Sequence, residues 1–237
     1  RLDEIALRYK QAGGLGINVL NLIGGSAENL LDRLPSGVRS NLEAATIKAL
    51  NHAMKAAHSS RAVVPDQKSW LNQTVTAAMG AAGGMGGLPG ALVELPATTA
   101  FLLRTIQGVA AEHGFDPDAE SVTFDCIRVF ASAGPLAEDD GTDTSFLTLR
   151  LSLTGSAMQK LIAQVAPKLA VVLGQKMAAQ AVPVFGALAG ASVNYVFSGY
   201  YQQMAHVHFG LRRLAVEADL DHQDLVTRFE QRLTALP

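Results

Sequence analysis

The chain has little of what marks several functional classes. One cysteine, Cys126, stands among 237 residues, which excludes an intramolecular disulfide and fits a reducing compartment. Charged residues make up 17%, against roughly a quarter in an ordinary soluble domain. The 19 basic residues are nearly balanced by 21 acidic ones, for a net charge of −2. Phosphate backbones need a clustered basic face, so no nucleic-acid partner is expected. No basic region followed by an apolar run and a small-residue cleavage site follows Arg1, and the expected location is cytoplasmic. The first residue is not methionine, so a targeting segment removed before Arg1 stays an open alternative. Phosphate-loop, dinucleotide and serine-elbow patterns are all missing.

Aromatics are also few, at 6%, while hydrophobic residues reach 49% and glycine numbers 22. Much of the apolar content is therefore small side chains, which let backbones approach closely. The periodicity is helical over most of the chain. Ser36 reads as the N-cap of a helix running to about His58, with Ile47, Leu50, Met54 and Ala57 at helical spacing. A helix is expected to resume after Pro96, and another to start at Pro117 behind an Asp116 cap. Val122, Cys126, Val129, Phe130 and Ala133 form its apolar stripe. Residues 146–154 alternate with period 2 as a strand would, but no second segment offers a pairing partner, and helix is preferred. Pro167 and Pro183 are expected to break the helical material over 156–200, and residues 212–237 to form a solvated face of mixed charge. The architecture expected is one all-α domain over 1–237, a multi-helix bundle. Two Gly/Pro-rich apolar helical segments, 77–111 and 169–200, form its centre.

Residues 177–200 carry no charge and are long enough to span a bilayer. Gln180, Pro183 and Asn194 argue instead for a buried core hairpin, with peripheral contact at the inner membrane face left open. Glu94 lies among apolar residues in Leu-Val-Glu-Leu-Pro, where an unpaired carboxylate is costly. Arg104 and Arg128 are its expected partners, and Asp125 lies at i−3 from Arg128. His208 lies four residues before Arg212. His206 and His208 are about 200° apart around a helix and cannot share one metal ion. Glu94, Arg104, Asp125, Arg128 and His208 are thus either a structural ion network or the polar floor of an apolar pocket. Cys126 falls inside an apolar stripe, where a thiol is inert. No catalytic residue, cofactor or metal is assigned.

Several segments together resemble the EcsC family. They are Gly86-Gly-Leu-Pro-Gly-Ala-Leu-Val-Glu-Leu-Pro-Ala-Thr-Thr99, Arg104-Thr-Ile-Gln107, Asp125-Cys-Ile-Arg-Val-Phe130 and Ala178-Ala-Gln-Ala-Val-Pro-Val-Phe-Gly-Ala187. His208-Phe209 with Arg212-Arg213-Leu214 completes the set, in order, over roughly 15–217. The resemblance implies a bacterial, helical protein. The family's name comes from a gene beside an ABC transporter, and no catalytic mechanism comes with it. Three functions are expected in turn. The first is a non-enzymatic binding protein for an apolar ligand such as a lipid or fatty acyl chain, in a cleft between the two central segments. The second is a hydrolase or metal-dependent enzyme built on Glu94, Asp125 and His208. The third is an interaction module for a membrane transport system.

Overall fold

A computed structural model of the protein describes residues 1–23, 30–61, 87–132, 134–136, 144–148, 157–180 and 186–236. Among them the structure is all-α. The helices are α1 (Leu2–Ile23), α2 (Ser36–Arg39), α3 (Leu42–Arg61), α4 (Gly87–Glu112), α5 (Glu120–Val129), α6 (Ser145–Thr148), α7 (Ala157–Gln180), α8 (Gly186–Ala218) and α9 (His222–Ala235), with a 3-10 turn at Leu31–Arg33. At 33 residues α8 is the longest, about 50 Å by helical rise. It is the axis of the bundle, packing against α1, α4, α5, α7 and α9. The second axis is α4, which lies between α3 and α8 and also meets α5 and α7. Most of the expected segment 77–111 lies in α4, and the expected segment 169–200 is divided between the end of α7 and the start of α8.

Two prolines do not break helices. α4 runs through Pro96 and α7 through Pro167. Both rings face solvent, where water can satisfy the carbonyl that loses its partner. Packing on the opposite face outweighs the roughly 3 kcal/mol cost of an interior proline. Ser36 is not the cap of one long helix. Pro35 precedes the four-residue α2, and α3 begins after a break at Ser40–Asn41. Asp116 accepts from the Asp118 backbone N–H in a turn of its own, so α5 starts three residues beyond Pro117, at Glu120. Residues 145–148 are helical, as preferred; residues 149–154 and Pro183 lie outside the described residues. Nor is the C-terminal segment simply a solvated face. Leu225, Val226, Phe229 and Leu233 of α9 are buried, and Phe229 meets Tyr9 of α1 edge-on at 5.8 Å.

Close approach is visible at Gly174 of α7, where a Cβ would come within 2.8 Å of both Leu31 and Leu42 side chains. A Cβ there would require the ends of the Leu31 and Leu42 side chains to shift. No helix among the described residues is long and apolar enough to cross a membrane.

Two of the long helices end in left-handed turns. α4 ends in a Schellman turn, with Gly114 at φ 80° and Phe115 N–H bonding the Ala110 carbonyl. α8 ends in the same turn, with Leu220 N–H bonding the Ala215 carbonyl, but its left-handed residue is Asp219, at φ 52°. Asp221 then caps α9 by accepting from the Gln223 N–H at 2.8 Å. A left-handed aspartate is strained where glycine is not. Asp219→Gly should therefore raise the unfolding free energy by about 0.5–1 kcal/mol, measured as a higher urea midpoint at unchanged slope.

Candidate functional site

Two buried polar clusters lie along α8. The first surrounds Glu94. Its carboxylate receives Lys176 Nζ of α7 at 3.1 Å and Asn194 Nδ2 of α8 at 2.7 Å, and also accepts from the Thr98 hydroxyl one turn along α4. Lys176 is 0% exposed. Burial pushes the Glu94 carboxyl up, but the Lys176 ammonium and the three hydrogen bonds outweigh it and hold the pKa below the ordinary value. Burial likewise lowers the Lys176 pKa, against the opposing pull of Glu94.

This pairing corrects the expected partners of Glu94. Because α4 is continuous through Pro96, Arg104 stands ten residues away on the same rod, about 15 Å along its axis. Arg128 belongs to Asp125. The true cation was legible: Lys176 is the lone Lys, Arg, Asp or Glu between Lys168 and Arg212. The reading that singled out Glu94 applies to it equally.

The second cluster is centred on Asp125 of α5. One oxygen accepts from Arg128 at 2.9 Å, and the other from Arg212 of α8 at 2.5 Å. His208 Nε2 lies 3.3 Å from Asp125 Oδ1, within ion-pair distance though not aligned as a hydrogen bond. His208 is 1% exposed and packs edge-on against Phe209. The Arg212 guanidinium lies over the Phe115 ring at 4.5 Å. Burial raises the Asp125 carboxyl, but His208, Arg212 and Arg128 together hold it well below the usual carboxylate range. His208 and Arg212 reach the same carboxylate because i,i+4 spacing stacks them on one face of α8.

Asp125, Arg128 and His208 form the floor of a cavity of about 670 Å³, with Arg212 beside them. Its walls are Ser121 and Phe124 of α5, Leu161 of α7 and Ala215 of α8, with Asp219 and Leu220 from the α8–α9 turn and His222 from the start of α9. It does not lie between the two central segments, where α4 and α8 pack directly. Glu94 is not part of it. Its partner Asn194 and the Asp125 partner His208 are 14 residues apart on continuous α8, about 21 Å. Glu94, Asp125 and His208 therefore do not assemble into one centre. Among the described residues no group of three or more His, Cys, Asp or Glu is placed to hold a metal ion. Cys126 is buried.

His206, on the opposite side of α8 from His208, meets His113 in the turn just past the end of α4, Nδ1 to Nε2 at 3.1 Å. They line a second, more polar cavity of about 520 Å³ with Arg1, Glu4, Arg8 and Arg213. Burial, Arg8 and His113 push His206 down to about 4, and burial with Arg8 and Arg213 lowers His113.

The family profile described as the EcsC protein family matches residues 36–214, most of the chain. The chain belongs to the EcsC protein family. The matched region of this EcsC protein holds both polar clusters and ends two residues past Arg212, while α1 and α9 lie outside it. No curated protein and no solved structure matches the chain.

Removing one partner of a buried ion pair strands the other. Lys176→Met should cost about 3–5 kcal/mol in urea unfolding, and Glu94→Gln with Lys176→Met should recover most of that loss. An equal loss in the double variant would show that Glu94 draws its stabilisation elsewhere. The depressed His206 predicts a pH dependence. Between about 6.5 and 4 the unfolded chain binds a proton that the folded ring refuses. Stability is thus complete above about pH 6.5 and declines as pH falls toward 4. His206→Gln should flatten that decline in thermal melts taken across the window.

Proposed function

We propose that this EcsC protein is a non-enzymatic binding protein for an apolar ligand, a lipid or fatty acyl chain, held in the cavity between α5, α7, α8 and α9. The observation that carries the reading is the cavity's construction. Its volume of about 670 Å³ falls in the usual range for a small-molecule site. Apolar walls stand over a few convergent polar groups, the arrangement by which such sites orient a ligand. The low charge of the chain and its small-residue packing also favour an apolar cargo over a highly polar one.

The rim favours peripheral contact with a membrane as the route of loading. Val216 is 67% exposed there and Leu220 is exposed beside it. An apolar edge at the mouth of an apolar cavity suits exchange with a lipid surface. The enzyme reading is weaker, because its three residues divide between two clusters far apart on α8. An interaction module for a transport system is compatible with a ligand carrier, but no surface feature among the described residues singles it out.

Native mass spectrometry of the purified protein, followed by organic extraction, tests the proposal. A bound apolar molecule near one per chain is expected. Ala215→Trp should fill the cavity and release the ligand while the helical far-ultraviolet spectrum is retained. A clean apo mass, together with no uptake from liposomes, would end the binding reading.

A further inference from the structure

The charge around the cavity's mouth also selects the kind of surface it can meet, an inference that rests on reading the rim as a membrane contact. Within the cavity, Asp125 is bonded to both Arg128 and Arg212, and all three side chains are largely buried. At the surface the lining carries a different charge. Asp219 is exposed there between Val216 and Leu220, with no ion pair among the described residues.

The two stretches of chain that frame the mouth are acidic. Ser121 lines one side, and residues 114–124 around it hold three carboxylates; the α8–α9 turn lines the other, and residues 216–224 hold four. Neither stretch contains a lysine or an arginine. Some of these carboxylates are engaged. Glu217 is paired with Arg1 and Arg213, and Asp221 accepts from backbone N–H groups at the start of α9. Glu120, next to Ser121, is exposed like Asp219 and likewise has no ion pair among the described residues.

Two aliphatic side chains at the rim attach only weakly to a bilayer, so the charges beside them decide which bilayer holds. A lysine or arginine close to an anionic leaflet strengthens binding by roughly fivefold. A carboxylate in the same place weakens it by a like factor, because it is brought into a negative potential.

We propose that the mouth of the cavity docks on a lipid surface without net negative charge, a bilayer of zwitterionic lipid. Val216 and Leu220 enter its head-group layer, and Glu120 and Asp219 hold anionic lipid away. Exchange of the apolar ligand is thereby confined to neutral regions of a membrane.

Co-sedimentation with vesicles of phosphatidylcholine, alone or mixed with phosphatidylglycerol, tests this. At low salt the neutral vesicles should bind roughly ten- to thirtyfold more tightly than the anionic ones, as expected for two carboxylates. Added salt should shrink the ratio by screening. Glu120→Gln with Asp219→Asn should bring it close to one, and asparagine tolerates the left-handed backbone at 219. Val216→Ser should weaken binding to both vesicles alike. Equal or tighter binding of the unmodified protein to anionic vesicles would overturn the proposal without any variant having to fold. So would the full ratio persisting in the folded double variant, or Val216→Ser leaving both affinities unchanged. If neither vesicle binds, the membrane contact falls and the charge selection with it, while a bound apolar molecule in the native mass spectrum would still support the ligand site.

Discussion

A buried ion pair, Glu94–Lys176, ties the centre of the fold together. Lys176 carries its charge to 0% exposure, a placement that costs several kcal/mol unless the charge is closely matched. The match requires three helices at once: α4 supplies Glu94 and Thr98, α7 supplies Lys176, and α8 supplies Asn194. Apolar packing alone would let these helices slide against one another with modest loss. A carboxylate that must find one ammonium and one amide tolerates no such slip. The pair therefore acts on register more than on net stability, and fixing α8 against α4 and α7 sets where its far end meets α5.

At that far end the same helix makes a different kind of polar contact. The Glu94 cluster is sealed by its own partners. The Asp125 cluster opens onto a cavity, with its arginine side chains partly exposed. A closed network has its electrostatics balanced by the fold itself. An open one keeps its charged groups within reach of whatever enters the cavity. The two ends of α8 thus differ in their access to a cavity.

Within-helix relations were legible in the sequence, and relations between helices were not. Asp125 with Arg128, and His208 with Arg212, follow from i,i+3 and i,i+4 spacing alone. That both pairs meet across α5 and α8 depends on tertiary packing, which spacing does not encode. Glu94 is visible in the sequence as an anomalous charge, but its pairing with Lys176 joins α4 to α7 across 82 positions, which spacing does not encode. The prolines misled for a physical reason. Their cost is local, whereas the burial that overrides it comes from neighbouring helices on the opposite face. α9 misled through its exposed charges, which hide a stripe of Leu225, Val226, Phe229 and Leu233 at helical spacing. The all-α class survived these errors because small-residue helical periodicity extends over most of the chain.

Asn194 and His208 stand 14 residues apart on α8, and at about 100° per residue they come within roughly 40° of the same azimuth. The helix thus presents nearly one stripe to both carboxylates. Turning it about its long axis moves both contacts in the same sense, so Asn194 could not leave Glu94 without His208 also swinging relative to Asp125. Sliding it lengthwise by one residue would break both contacts together. α8 therefore behaves mechanically as a shaft keyed at two points, and torsional play at one end of the bundle is shared by the other.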